Sequence, residues 1–329
     1  MTVAHPPYAP VDVRRGHGKK LPKWRTTTWV QDGSGCRAAL GGHRIARMLG
    51  APSGERRGRT MCLKPCKSDS PLIRALRREL RSGVGALAKL DKTTDWAIKA
   101  WKRIEGRCAD YVRQIAKIQR NTRKGNCKGA RSGVRYALKG FNAAVAAAVL
   151  VVSRRPETVS EITYKTVLAF ARTIDPMQKC DEPIAVWSKP KAKGGHRTIR
   201  RFGPRRLAVQ LICKHLQEAQ GLRPEFDAMS IGFGGTHAAV REVGNWMVSG
   251  SKAVVTADIE NFFGSVNPKE AQKASRIPRR VFREYLTVPP WAEVHILGNH
   301  GSASAAALQK AARRGLPQGS PTSGIIGSA

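Results

Sequence analysis

Apolar residues recur at helical spacing from residue 72 onward. Leu72, Ile73, Leu76 and Leu80 fall on one face, while Arg74, Arg77, Arg78 and Arg81 fall on the other. That pattern predicts an amphipathic helix. Ser70 before Pro71 marks its start, because proline fits the first helical turn and a hydroxyl can cap free N–H groups. A second helix is expected over about 94–119, with Trp96, Ile98, Trp101, Ile104, Tyr111, Ile115 and Ile118 as its apolar positions. Residues 120–135 are basic and contain glycines, so a loop is expected there. A third helix is expected over about 136–152. Its stretch 141–152 is almost wholly apolar, but it is shorter than the roughly 20 residues a membrane span needs. A buried Ala-rich core helix is the expectation.

The texture changes from residue 157. A helix is expected over 158–174, a short strand over 183–187 (PIAVW), and a basic turn followed by a strand over 188–204. Residues 205–220 form an amphipathic helical pattern. KAVVTADI (252–259) reads as a buried strand that ends in an acid. Helices are expected again over 268–286 and, Ala-rich, over 302–314. Helices interleaved with short strands indicate an α+β class. Residues 1–66 lack periodicity and are rich in Gly, Pro, Arg and Lys, as a flexible basic arm would be. The chain thus divides into an arm (1–66), a basic helical region (67–156) and a mixed region (157–329).

Charge sharpens this picture. The 329 residues carry 59 Lys plus Arg against 23 Asp plus Glu, a net charge of +36. Such a balance is unlike an ordinary metabolic enzyme and points to a polyanion, nucleic acid before an anionic membrane. Residues 1–150 hold 33 basic and 9 acidic side chains, so two-thirds of the excess lies in the first half. Seven scattered cysteines, with Cys62 and Cys66 as the one close pair, do not form a zinc-ligand pattern, and reduced thiols are expected. The N-terminus lacks the apolar core of a signal peptide. These features predict a cytoplasmic protein without a membrane partner.

Four segments carry possible chemistry. AVVTADIENFFGSV (253–266) runs an apolar strand into Asp258. A buried strand-end acid is costly unless cations or metal ions compensate it, although an Asp that caps the next helix is the commoner use. GLPQGSPTSGIIGSA (315–329) sets Gly and Pro in a tight turn with Gln318 and Ser320 as polar contacts, although taken alone an ordinary turn into a helix is the commoner reading. SKPKAKGGHRTIRR (188–201) crowds Lys189, Lys191, Lys193, Arg197, Arg200 and Arg201 around a Gly-Gly turn. Strand alternation would place several of these cations on one face, suited to a triphosphate or a template backbone; an exposed basic hairpin is the alternative. SIGFGGTHAAV (230–240) has no chemistry evident from composition.

In this order the four segments resemble the blocks of a reverse transcriptase, most like the bacterial retron and group II intron lineages. KPKAKGGHRTI resembles the fingers block, SIGFGGTHAAV the Ser-x-Gly-Phe block, DIENFFGSV the first catalytic palm motif, and GLPQGSPTS the Pro-Gln-Gly block beside the nucleotide pocket. The resemblance spans about 183–329 and implies right-hand polymerase fingers and an incomplete palm. It implies that Asp258 and the Ile259 carbonyl bind two Mg²⁺ ions, with Mn²⁺ as a substitute. Phe263 would be a steric gate against the ribose 2′-hydroxyl, Gln318 and Gly319 would line the dNTP pocket, and Lys193 and Arg197 would hold the triphosphate. Lys189, Lys191, Arg200 and Arg201 would contact nucleic acid. An RNA template, a DNA primer and dNTPs are the implied partners.

Two departures stand out. Ser323 is followed by Gly324 where the family has Pro, and the chain contains no Asp-Asp pair. The family's aromatic-x-Asp-Asp palm hairpin is therefore expected on a continuation of this chain or on a second polypeptide, and the chain alone is not expected to polymerise. Two alternatives stay open: a fragment of a viral RNA-dependent RNA polymerase, and a non-catalytic RNA-binding protein on a degenerate polymerase fold. The aromatic at position 263 argues against the first, since RNA polymerases of this type usually carry an acid there.

Overall fold

A computed structural model describes residues 63, 69–91, 95–190, 196–222, 235–250, 262–297 and 304–327. All belong to one compact unit, Arg56–Ala329. The architecture is α+β and mostly helical, with one small mixed sheet.

Helix α1 (Pro71–Leu90) begins where the sequence places it. The Ser70 hydroxyl accepts the Ile73 N–H, and Leu72, Ile73, Leu76 and Leu80 are buried. Helix α2 (Asp95–Arg123) buries Ala97, Trp101, Ile104, Cys108, Tyr111, Ile115 and Ile118. Those positions repeat every three to four residues and define one stripe. Trp96 and Ile98, expected on that stripe, flank it instead and are 73% and 58% exposed.

The loop expected over 120–135 is a helix–turn–helix. α3 (Cys127–Lys139) starts from Asn126, whose side chain accepts the Gly129 N–H, and buries Ala130, Val134, Ala137 and Leu138. One of its glycines serves helix packing. A Cβ on Gly133 would sit 2.7 Å from Ile118 Cγ1, so only a bare backbone lets α3 approach α2 this closely. Gly140 is extended and separates α3 from α4 (Phe141–Arg154), which turns away by 64°. The single helix expected over 136–152 is therefore two.

Residues 143–152 of α4 are all buried. They form the axis of the core, flanked by α1, α2, α5 (Tyr164–Arg172) and α6 (Pro204–Ala219). Alanines there let neighbouring helices pack closely. Among the described residues no single helix is long and apolar enough to cross a membrane. The helix expected over 158–174 shortens to α5, whose start is fixed by a reciprocal Thr163–Thr166 cap.

Strands β1 (Ile184–Pro190) and β2 (His196–Phe202) pair antiparallel, as the basic-hairpin pattern predicts. The turn between them lies outside the described residues. A third strand, β3 (Val294–Ile296), lies parallel to β1 on its other edge and was not evident from the sequence. Ile184, Val186 and Phe202 face inward onto Val288, Ala292 and Ala312. The hairpin is anchored to α6 by Glu182. Gly203 has no side chain to cap that helix, and the Glu182 carboxylate instead accepts the Arg205 and Arg206 N–H groups, both at 2.8 Å.

α7 (Gly235–Val248) stands beyond 223–234, which is not described. α8 (Phe262–Ser265) is a single turn. The helix expected over 268–286 breaks into α9 (Pro268–Ala274) and α10 (Arg279–Val281). Arg276 takes a left-handed φ of 51° and Pro278 follows it, and these two residues interrupt the helix. α10 runs directly into a turn of π-helix, Phe282–Leu286. α11 (Ala305–Ala312) and α12 (Ser323–Gly327) frame the Pro-Gln-Gly loop.

Candidate nucleotide and nucleic-acid site

Three sequence blocks meet at the edge of β2. The loop 315–320 docks on α8 at one end and on β2 at the other. The Leu316 N–H donates to the Phe263 carbonyl at 2.8 Å, and the Arg200 N–H donates to the Gln318 carbonyl at 3.2 Å. Both contacts require glycine. Gly315 has φ 58°, and a Cβ there would lie 1.9 Å from the Phe263 carbonyl oxygen. Gly319 has φ 104°, and its Cβ would lie 2.6 Å from the Arg200 carbonyl oxygen. No other L-residue suits both the left-handed backbone and the close approach.

The loop is also locked on itself. The Ser323 hydroxyl donates to the Pro317 carbonyl at 2.8 Å, and the Ser320 and Thr322 hydroxyls share a hydrogen bond at 2.9 Å. Leu316 and Ile326 join the main core, against which Phe263 packs half-buried. The Phe262 and Phe263 rings meet edge to face, with centroids 5.3 Å apart. The Gln318 side chain is half-buried and engages no partner among the described residues, so its amide can still bond to a ligand.

The hairpin has two faces of opposite character. On the outer face, Lys189 and Arg197 stand directly opposite one another, and Trp187 opposite Ile199. Lys189, Arg197 and Arg201 are exposed, and Arg201 lies 3.6 Å from Glu157. Like charges facing each other across a strand pair repel, and an anion placed between them relieves that repulsion.

Arg200 points to the other face. It was expected to contact nucleic acid, yet its side chain is buried. Its guanidinium donates to the carbonyls of Ala311, Ala312 and Arg314 at 2.9–3.2 Å. Strand alternation accounts for this: Arg200 shares its face with Phe202, opposite to Arg201. Burial lowers the Arg200 pKa to about 10, which leaves it charged at neutral pH. A cation at a helix C-terminus complements the free carbonyls there. Arg200 therefore fixes the end of α11 from which the Pro-Gln-Gly loop departs.

Asp258, Ile259, Lys191 and Lys193 lie outside the described residues, as does the strand expected over 252–259. A divalent Mg²⁺ or Mn²⁺ ion takes hard oxygen donors, the kind a carboxylate and a backbone carbonyl offer. Among the described residues, no three His, Cys, Asp or Glu side chains gather into a group that could hold a metal ion.

Sequence reasoning singled out Gln318 and Gly319 and missed Gly315, whose contact with Phe263 depends on pairing that no local pattern encodes. It also missed Arg313. This guanidinium holds the turn 289–292 through the carbonyls of Pro289, Pro290 and Ala292 at 2.7–3.1 Å. Residues 311–314 thus join the hairpin, that turn and the Pro-Gln-Gly loop. Comparison with family models, with curated proteins and with solved structures returned no match to this chain.

Proposed function

We propose that the chain carries the fingers and first palm elements of an RNA-directed DNA polymerase of the reverse-transcriptase type, preceded by a basic helical region. The observation that supports this most is the meeting of β2, the Phe262-Phe263 turn and the Pro-Gln-Gly loop through main-chain hydrogen bonds. The resemblance to reverse-transcriptase blocks had marked these segments for nucleotide handling, and they are far apart in sequence.

Each described residue then has a task. The facing Lys189 and Arg197 would receive the triphosphate or the template backbone, which would relieve their repulsion. The Gln318 amide would bond to the incoming nucleotide or its template base, with Gly319 allowing close approach. Phe263, pinned through its carbonyl, would hold its ring where a 2′-hydroxyl would otherwise sit. In the reaction the primer 3′-hydroxyl attacks the α-phosphorus of a dNTP in line and pyrophosphate leaves. Bound Mg²⁺ ions, held by Asp258 and the Ile259 carbonyl, would supply charge neutralisation. Further carboxylates would complete the ion site.

Photolabelling tests this reading. With an RNA template, a DNA primer and 8-azido-dATP, label should enter peptides containing residues 196–201, 262–266 or 315–320. Unlabelled dNTPs should compete better than rNTPs, and Phe263→Val should erase that preference. Label confined to other peptides, or equal competition by rNTPs in the unaltered protein, would overturn the proposal.

A further inference from the structure

A second cationic cavity lies apart from the Pro-Gln-Gly loop. It has a volume of about 640 Å³, within the range of small-ligand pockets, and is lined by Lys179, Arg279, Arg280, Arg283, Glu284 and Trp291. Four of its six lining residues are cations, all exposed, and no ion pair engages them among the described residues. The indole of Trp291 is 44% exposed, and the Lys179 and Arg283 charges lie 5.8 Å and 5.9 Å from its ring.

The aromatic is held in place. Trp291 Nε1 donates to the Glu284 carboxylate at 3.4 Å, and the same carboxylate accepts the Cys180 N–H at 2.9 Å. Its backbone turn is clamped by Arg313. Beneath it, the buried Arg206 donates to the Glu284 carbonyl and lies 5.7 Å from the Tyr285 ring. The π-turn Phe282–Leu286 sends Phe282, Tyr285 and Leu286 into the core and leaves Arg283 outside. Turns of this kind recur at functional sites. An oriented aromatic plane beside several free guanidinium groups suits an unpaired base and its phosphates, because stacking is indifferent to base identity and the cations follow the backbone.

We propose that Lys179, Arg279, Arg280, Arg283 and Trp291 form a binding site for an unpaired nucleotide of a single-stranded polynucleotide. The base stacks on the indole and its phosphates lie among the arginines. This rests on the reading of the chain as a nucleic-acid enzyme, but places an additional contact outside the nucleotide site.

The test is fluorescence anisotropy of the full chain with labelled 12-mers of oligo(U) and oligo(dT) across a salt series. Trp291→Ala should weaken binding about tenfold, and Trp291→Phe, which keeps a stacking surface, about twofold. Arg279→Gln with Arg280→Gln should weaken it about tenfold and reduce the salt slope by about 1.4, at ~0.7 per phosphate contact. Arg131→Gln with Arg135→Gln on α3 removes the same charge elsewhere and should cost no more than about twofold. Circular dichroism confirms that each variant folds. Binding of either oligomer that depends on both Trp291 and the Arg279–Arg280 pair supports the site. Equal losses from the two arginine pairs, unaltered binding by Trp291→Ala, or equally tight Trp291-dependent binding of poly-Glu would overturn it. Binding that ignores Trp291 sinks this site alone, whereas no binding of either oligomer sinks the proposed function with it.

Discussion

The bundle around α4 and the loop-bearing region around β2 are held together by different means. In the bundle, ten consecutive residues of α4 are buried among side chains from four other helices. Stability there is spread over many apolar contacts. At the β2 edge, two glycines and two main-chain hydrogen bonds fix the positions of Phe263, Gln318 and Gly319. Order there depends on a few close approaches. The bundle should therefore yield to lost volume, and the site to an added methyl group.

Leu150→Ala should have the largest effect. It removes a 1% exposed side chain from the central helix and should cost about 3 kcal/mol through lost burial and the cavity left behind. Urea denaturation should show one cooperative transition moved to lower denaturant. Gly315→Ala comes next, at about 2 kcal/mol of strain from the left-handed backbone and the contact with the Phe263 carbonyl. Its signature should be local: faster proteolysis within 313–321 while the bundle's helical signal persists. Gly85→Ala is the counterpart in α1. It is an exposed helical glycine with open space around it, and the change should stabilise by about 0.7 kcal/mol. If Gly315→Ala is as harmless as Gly85→Ala, the close approach does not hold the loop.

The two regions also differ in how far sequence reveals them. Helical periodicity located α1, α2 and α6 because burial on one face leaves a repeating signal. It failed at α3, where Gly129 and Gly133 look like loop punctuation, but Gly129 leaves room for the Asn126 cap and Gly133 permits close packing on Ile118. It failed again at β3, whose three residues form a strand only because β1 offers a free edge. At the site, residue types marked the basic hairpin, and the resemblance to reverse-transcriptase blocks marked the Pro-Gln-Gly loop. Which cations face solvent depended on strand phase, and that phase turned Arg200 inward to the end of α11. The pairing of Gly315 with Phe263 is a long-range contact without a local sequence signature.

A titration separates the regions further. His215 is buried in the bundle, where Tyr111 Oη lies 3.2 Å from its Nδ1. Burial, aided by Lys214 and Arg154, lowers its pKa from 6.5 to about 3. Between those values the unfolded chain binds a proton that the folded chain refuses. The stabilising contribution is complete above pH 6.5 and shrinks as pH falls toward 3, by up to about 1.4 kcal/mol per pH unit. His215→Gln keeps an acceptor for Tyr111 and should flatten that part of the stability profile, read from urea midpoints between pH 7 and pH 4. An unchanged slope would show that His215 takes up its proton within the fold.

The smallest expected change in stability belongs to the hairpin, where stability and binding should move in opposite directions. Lys189 and Arg197 face one another with like charge. Lys189→Glu converts that repulsion into attraction and should stabilise the protein by about 0.5 kcal/mol, since exposed cross-strand pairs contribute no more than this order. The same substitution puts a negative charge where a triphosphate or template phosphate is proposed to lie. Affinity for the RNA–DNA primer–template should therefore fall about tenfold at low salt, with the difference narrowing as salt screens it. Arg197 remains in place, so Lys189→Ala should fall between the two. A pair kept for its anion should lose affinity as it gains stability. If Lys189→Glu leaves affinity unaltered while raising the urea midpoint, the outer face of the hairpin is a solvated surface and the triphosphate must be sought elsewhere.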